Sequence, residues 1–129
     1  MNFETGMNVL QKWMQAVNAG DVVGLLSLYD ETAVLIPTFS SRILNSPAKL
    51  RDYFERLGAR EDLSIALHEK TVQEQILGDS ITAISGIYCW RFVIDGELLS
   101  FEARFSYLLN LASAHPILHH HSSQIPRVL

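Results

Sequence analysis

Cysteine is nearly absent from this 129-residue chain, which has only Cys89. A single cysteine cannot form a disulfide within the chain, so the sequence does not require an oxidising compartment. Residues 1–6 lack the basic and apolar regions of a secretory signal peptide, and no apolar run is long enough to span a bilayer. We therefore expect a cytoplasmic protein.

Excess positive charge is also lacking. Ten Lys and Arg residues stand against 14 Asp and Glu residues, which gives a net charge of −4 and a pI near 5.6. Bulk attraction to nucleic acid or to an anionic membrane is therefore not expected. The sequence has no glycine-rich phosphate loop, no serine-nucleophile elbow and no zinc-finger spacing. We expect no cofactor, no nucleic-acid partner and no membrane partner.

Helical periodicity dominates the first 58 residues. Apolar side chains recur at intervals of four and three on one stripe, at Phe3, Met7, Leu10, Met14 and Val17. Gly20 suits a left-handed C-cap, while Asp21 and Ser46 suit the N-cap position of a following helix. The predicted helices span residues 3–19, 21–28 and 47–57.

Alternating periodicity follows Gly58 and is typical of strands. The predicted strands cover residues 33–36, 63–77, 81–94, 98–111 and 117–125, and Asp95-Gly96 is a tight hairpin turn. Helices followed by a meander of long strands indicate an α+β fold, with three N-terminal helices packed on an antiparallel sheet. A chain of this length fits one domain, residues 1–129.

The two-residue turn at Asp95-Gly96 sets the register of the hairpin, in which Cys89 faces Glu102. Side chains alternate between the two faces of a strand. One face carries large apolar side chains: Ile84, Tyr88, Trp90, Phe92, Leu99, Phe101, Phe105, Tyr107 and Leu109. The other face is mixed, and Arg91, Glu102 and Arg104 converge on it.

Two interpretations of these faces are open. In the first, the polar face is solvated and the aromatic face packs on the helices, as is common in antiparallel sheets. In the second, the arginine face lies under the helices and its excess positive charge lines a pocket for an anionic ligand. The aromatic face would then need another cover, and a homodimer interface is the simplest. That interface would use Tyr88, Trp90, Phe101, Phe105 and Tyr107.

Three consecutive histidines, His119, His120 and His121, lie in the last predicted strand. His119 and His121 share one face and could be two metal ligands, but no third ligand is evident from spacing, so no metal is expected. His120 takes the opposite face. It is a candidate pocket group, and it could act as an acid or base near neutral pH.

Two parts of the chain resemble a known family. Residues 18–21, 25–29 and 33–37 resemble the N-terminal sequence pattern of nuclear-transport-factor-2-like (cystatin-like) proteins. Residues 118–126, with a His-x-His, Ser, Pro pattern, resemble the last strand of the association (hub) domain of calcium/calmodulin-dependent protein kinase II and its stand-alone bacterial relatives. That resemblance extends to the arginines of residues 88–91 and 102–104.

The resemblance implies a cone-shaped fold with a strongly curved sheet and an interior pocket. It places Arg91 and Arg104 in that pocket, and it puts Ser122 where the family has a further arginine. We therefore expect an arginine-lined pocket with walls from Trp13 and Tyr53. Its polar residues would be Arg91, Arg104, Glu102, His120 and Ser122.

Three functions are compatible with these observations. The leading one is a ligand-binding and oligomerisation module without kinase activity, since no kinase motif is present. The alternative is a small enzyme, because the fold resembles that of ketosteroid isomerase, polyketide cyclases and epoxide hydrolases, which use a pocket acid or base. A third is an interaction module that no longer binds a ligand. The catalytic residues, if any, are not identified by the sequence, and fold alone does not decide among these functions.

Overall fold

The structure is a computed structural model that describes residues 2–126. These residues form three α-helices, one short 3-10 helix and a six-stranded sheet. The helices are α1 (Gly6–Ala19), α2 (Val22–Ser27) and α3 (Pro47–Gly58), with the 3-10 helix at Glu69–Thr71. The strands are β1 (Tyr29–Ile36), β2 (Ser64–Leu67), β3 (Gln73–Gly78), β4 (Ile81–Ile94), β5 (Glu97–Asn110) and β6 (Ile117–Gln124). The predicted α+β class is confirmed.

The predicted helix caps are present. Gly20 adopts φ 67° after α1, and Asp21 and Ser46 accept hydrogen bonds from backbone N–H groups at the starts of α2 and α3. Helix α1 begins at Gly6 rather than at residue 3. The reason is a capping box, in which Thr5 and Asn8 each bond the other's backbone N–H through their side chains. No helix among residues 2–126 is long and apolar enough to cross a membrane.

The predicted hairpin register is confirmed. Cys89 lies opposite Glu102, and the turn residues Asp95 and Gly96 both have positive φ, 53° and 77°. These angles are those of a type I′ turn, which matches the twist of the flanking strands. The strand order in the sheet is β1-β6-β5-β4-β2, and β3 also pairs with β4.

Two predictions about the sheet are wrong. The sheet is not wholly antiparallel, because β1 pairs with β6 in parallel. The predicted strand over residues 63–77 is interrupted by the 3-10 helix. There the side chain of Thr71 accepts a hydrogen bond from the backbone N–H of Ile87, so a side chain replaces a strand-to-strand contact.

The aromatic face of the sheet is the inner face. Tyr88 stacks on Trp13 of α1 with 5.7 Å between ring centroids, and Trp90 and Tyr107 meet Trp13 edge-on at 5.7 and 5.8 Å. Tyr88, Trp90 and Tyr107 are at most 2% exposed, and Phe105 is also buried. Burying large apolar side chains stabilises a fold by about 1.5–3 kcal/mol each.

The expected assignment of the two faces is therefore wrong. Arg91, Glu102 and Arg104 lie on the outer face and are exposed. Removing these charges from water would be costly, which is the physical reason that they stay outside. The expected dimer interface is also wrong, since Trp13 of α1 packs on Tyr88, Trp90 and Tyr107. Phe105 is buried in the same core, and Phe101 is half-buried.

Candidate functional site

A chain of hydrogen bonds runs through the interior, between α1 and the inner face of the sheet. The indole N–H of Trp13 donates to the hydroxyl of Tyr29 at 3.0 Å. The Tyr29 hydroxyl lies 2.8 Å from Nδ1 of His120, and Nε2 of His120 lies 3.2 Å from the hydroxyl of Tyr88. An indole N–H can only donate. Tyr29 accepts that bond, and its hydroxyl forms a second hydrogen bond with Nδ1 whose direction follows the tautomer of His120.

His120 is held in its neutral form. Burial lowers the pKa of His120 well below its ordinary value, and the neighbouring His119 and His121 lower it further. Burial also raises the pKa of Tyr29 well above its ordinary value, against the opposing effect of the Trp13 hydrogen bond. These groups are therefore uncharged near neutral pH, which is the form that this interior accommodates.

One buried polar atom near this chain of hydrogen bonds has no partner. Within residues 2–126, the indole Nε1 of Trp90 has no hydrogen-bond partner. By contrast, the hydroxyls of Thr38 and Ser122 bond each other. An unpartnered buried donor costs about 1–3 kcal/mol, so the indole N–H of Trp90 is unfavourable as it stands.

A wide cleft of about 1580 Å³ opens beside α3. Its walls are one side of α3, the loop that follows β1 and the ends of β4 and β5 nearest the Asp95-Gly96 turn. Phe39, from the loop, packs edge-on against Phe92 and Phe101 at 5.2 and 5.4 Å between ring centroids. These three rings give the cleft an apolar floor.

Positive charge surrounds that floor. Among the described residues that line the cleft, Arg42, Lys49, Arg56 and Arg60 are cationic and only Asp52 is acidic. Asp52 lies 3.2 Å from Nε of Arg56, which it partly neutralises. The guanidinium of Arg60 lies 5.6 Å from the ring centroid of Phe92. The cleft is thus electropositive in a protein of net charge −4.

The predicted site residues are not brought together. Tyr53 lines the cleft, where its hydroxyl accepts a hydrogen bond from the backbone N–H of Phe39 at 3.2 Å. Burial raises the pKa of Tyr53 to about 12, so it stays protonated. Trp13, His120 and Ser122 are buried and are not among the described residues that line the cleft, and whether they bind a ligand stays a prediction.

Arg91, Glu102 and Arg104, expected in the pocket, line the opposite side of the sheet. Glu102 there lies 3.2 Å from Nε2 of His68, an exposed pair that contributes little stability. Among residues 2–126, no three His, Cys, Asp or Glu side chains are grouped so that they could hold a metal ion.

The cationic residues of the cleft were missed by sequence reasoning. Lys49 and Arg56 lie on the polar side of α3, and the pattern of that helix assigns them simply to solvent. Arg60 lies two residues beyond α3 and continues the same side of the helix, at intervals of eleven and four from Lys49 and Arg56. Arg42 lies in the loop after β1, and the path of that loop brings it to the opening that the other three line.

Comparison with known proteins supports the fold and the family. The family model of the calcium/calmodulin dependent protein kinase II association domain matches residues 5–126. No functionally curated protein matches the sequence. Among solved structures, a Xanthomonas campestris protein assigned to that association domain is 22% identical, with a TM-score of 0.84 over 95% of this chain and 86% of its own.

Two other solved structures share the fold at lower identity. A protein from Streptomyces avermitilis, described as a dehydratase of the NTF2-like family, is 13% identical, with a TM-score of 0.79 over 94% of each chain. A ketosteroid isomerase-like protein from Erwinia carotovora atroseptica is 12% identical, with a TM-score of 0.74 over 94% of each chain. These identities show a common fold and carry no conclusion about activity.

The family model covers nearly all of the described residues, including the His-x-His of β6 and the hairpin of β4 and β5. The resemblance drawn from the sequence is thereby confirmed, and the chain belongs to the calcium/calmodulin dependent protein kinase II association domain family.

Proposed function

We propose that this protein is a self-associating module that binds a small anionic molecule with an apolar body. The cleft carries this proposal: a rim of four cationic side chains surrounds a floor of three aromatic rings. The site differs from the arginine pocket expected from the resemblance, because its cations come from α3 and the adjoining loops rather than from β4 and β5.

The rim supplies the part of the site that recognises charge. Arginine cannot lose its proton in a protein, so Arg42, Arg56 and Arg60 remain cationic at any physiological pH. One carboxylate, Asp52, balances only part of this charge. A ligand carboxylate or phosphate would accept charge-assisted hydrogen bonds from guanidinium groups and restore the balance.

The floor supplies the part of the site that binds an apolar body. Phe39, Phe92 and Phe101 offer ring faces and edges to a flat hydrocarbon, which would bind there by burial and by edge-to-face packing. Ligand sites typically have volumes of about 300–1,000 Å³, so this cleft has room for a ligand of at least two rings.

Titration calorimetry with 4-phenylbenzoate, and with 4-phenylbenzyl alcohol as its uncharged counterpart, tests this proposal. We expect the carboxylate to bind and the alcohol to bind at least tenfold more weakly. The double variant Arg42→Met/Arg60→Met should weaken carboxylate binding at least tenfold, while Arg104→Met, on the outer face, should bind as the wild type does. Equal binding of both compounds, or equal loss in both variants, would contradict an anion site in the cleft.

Self-association is the second part of the proposal, and the outer face of the sheet is its surface. Half-buried Ile87, Cys89 and Val93 alternate there with charges of both signs, Arg91 and Glu102 among them. A surface that carries both signs can pair with its own copy about a two-fold axis. The name of the matched family, association domain, agrees with this arrangement.

Sedimentation equilibrium at micromolar concentration measures this self-association. We expect at least a dimer for the wild type and weaker association for Glu102→Lys, since the substitution places like charges side by side. Glu55→Lys makes the same charge change on exposed α3 and serves as the control. A monomeric wild type, or equal association of both variants, would argue against the outer face.

The enzyme alternative has less support. Both ring nitrogens of His120 contact tyrosine hydroxyls, and the residue is only 2% exposed, so it presents no atom to a substrate. The acidic residue of the cleft, Asp52, forms a solvent-exposed ion pair with Arg56 and is not buried as a base shielded from water.

A further inference from the structure

We propose that the indole N–H of Trp90 is a second ligand-recognition group of the cleft. The side chain of Phe39 covers it in this structure, and it would donate a hydrogen bond to an acceptor atom of the ligand. This inference rests on the proposed anion site and narrows its ligand. The ligand would carry an anionic group for the rim and, on its apolar body, a neutral oxygen such as a ketone for Trp90.

The position of Phe39 is the first step. Its ring lines the cleft and packs edge-on against the ring of Trp90, with 5.8 Å between centroids, whereas Trp90 is not among the described residues that line the cleft. We take Phe39 as the side chain that lies between Trp90 and the cleft. Phe39 belongs to a loop and is half-buried, whereas Trp90 lies in the middle of β4 and is 2% exposed. A change in the side-chain rotamer of Phe39 would therefore uncover Trp90 without any movement of the sheet.

The unpartnered donor is the second step. Among residues 2–126, no acceptor bonds the Nε1–H of Trp90, although this atom is buried. The other tryptophan, Trp13, has the same group satisfied by Tyr29 at 3.0 Å. Because an unpartnered buried donor is unfavourable, an acceptor that reached Trp90 would recover the cost as binding affinity.

The chemistry of the donor sets the class of ligand. An indole N–H donates and cannot accept, so it selects a carbonyl or ether oxygen over an N–H or a methylene. The aromatic rings around it favour a flat body. The rim and Trp90 together would recognise an aromatic keto acid or a related two-ring carboxylate with an internal acceptor oxygen.

A matched ligand pair tests the inference by calorimetry: 4-benzoylbenzoate has a ketone between its two rings, and 4-benzylbenzoate has a methylene there. We expect the wild type to bind the ketone about tenfold more tightly. Trp90→Phe keeps an aromatic ring but removes the N–H, and should bring the ratio of the two affinities close to one. Arg104→Met should keep the wild-type ratio.

The cover is tested without a ligand, by acrylamide quenching of tryptophan fluorescence. Phe39→Ala should increase quenching, and the double variant Phe39→Ala/Trp90→Phe should lose that increase, because the remaining Trp13 is not covered by Phe39. If Trp90→Phe fails to fold, the comparison of Phe39→Ala with the wild type still decides whether Phe39 shields Trp90 from solvent. Unchanged quenching in Phe39→Ala would contradict that shielding.

The outcomes separate this inference from the proposed function. If the wild type binds both ligands equally and Arg42→Met/Arg60→Met weakens both, the anion site stands and the role of Trp90 is overturned. If neither ligand binds the wild type, the anion site fails and the role of Trp90 fails with it. A ketone preference that survives in Trp90→Phe would also exclude Trp90 as the donor.

Discussion

Glu74, in β3, caps the first residue of α1: its Oε2 accepts a hydrogen bond from the backbone N–H of Gly6 at 2.8 Å. Its other oxygen accepts from the N–H of Met7 at 3.2 Å. The first N–H groups of a helix have no partner within the helix, and a negative charge there is favourable. A carboxylate 68 residues away in sequence thus fastens the helix that covers the aromatic face to the edge of the sheet.

We predict that Glu74→Gln lowers the free energy of unfolding by about 0.5–1 kcal/mol, because the amide keeps an acceptor oxygen but loses the charge. Urea unfolding at pH 7 measures this difference. Glu31→Gln removes the same charge from an exposed position of β1 and should change stability by less than about 0.5 kcal/mol. Equal effects of the two substitutions would show that the cap contributes nothing specific.

Stability should fall in mild acid because of His120. The pKa of His120 is depressed in the folded protein, so below the ordinary histidine value of about 6.5 the unfolded chain binds a proton that the folded chain does not. The contribution of this residue is therefore constant above about pH 7 and declines as pH falls below about 6.5, by at most about 1.4 kcal/mol per pH unit.

The measurement is urea unfolding at several pH values between 5 and 8. His120→Asn should be less stable at pH 7.5, because it breaks the contacts with Tyr29 and Tyr88, and it should show a shallower decline below pH 6.5. An unchanged slope in His120→Asn would mean that other groups cause the acid sensitivity.

Neighbouring residues of β5 should differ sharply in their contribution to stability. Phe105 is 2% exposed and stacks on Tyr88 at 4.6 Å between centroids, so Phe105→Ala should cost about 3–5 kcal/mol. Arg104 lies on the outer face, and Arg104→Ala should change stability by no more than about 0.5 kcal/mol. Thermal and urea unfolding at low protein concentration would check both values, and a reversed order would contradict the assignment of faces.

The hairpin turn offers a test of backbone conformation alone. Gly96 has φ 77°, and a Cβ added there would meet no other atom within 4 Å. Gly96→Ala should therefore destabilise by about 1 kcal/mol through conformation and not through a clash. Gly78→Ala, at a glycine where φ is not in the left-handed range and a Cβ also meets nothing, is the matched control and should be close to neutral.

Local features of the fold were predictable because they depend on neighbouring residues. The caps at Gly20, Asp21 and Ser46 follow from the chemistry of single residues at helix ends: Gly20 ends α1, and Asp21 and Ser46 begin α2 and α3. The turn at Asp95-Gly96 determines the register of β4 and β5 over 14 pairs of residues. A capping box at Thr5 and Asn8 was equally local, but the apolar stripe that begins at Phe3 hid it.

The candidate site was much less predictable. The alternation of apolar and polar residues along β4 and β5 identified which side chains share a face of the hairpin. It did not determine which of the two faces the helices cover. Burial of Tyr88 and Trp90 is favourable, so their face of the sheet is expected to pack on the helices. The cost of desolvating Arg91 and Arg104 favours the same arrangement. The family resemblance pointed to the arginines instead, and the packing of Trp13 on Tyr88 shows that burial of the aromatic face prevailed.

The amino-acid sequence was sufficient for the helix ends, the hairpin register and the two sets of side chains that alternate along β4 and β5, because each depends on contacts between residues close in the chain. Tertiary structure alone decided that β1 runs parallel to β6, where Val34 lies opposite His119, since no turn joins these strands. It also brought Arg42, from the loop after β1, to the opening that Arg56 and Arg60 of α3 and its C-terminal end line. Such juxtapositions depend on how the whole chain packs, and no local pattern of charge or hydrophobicity contains them.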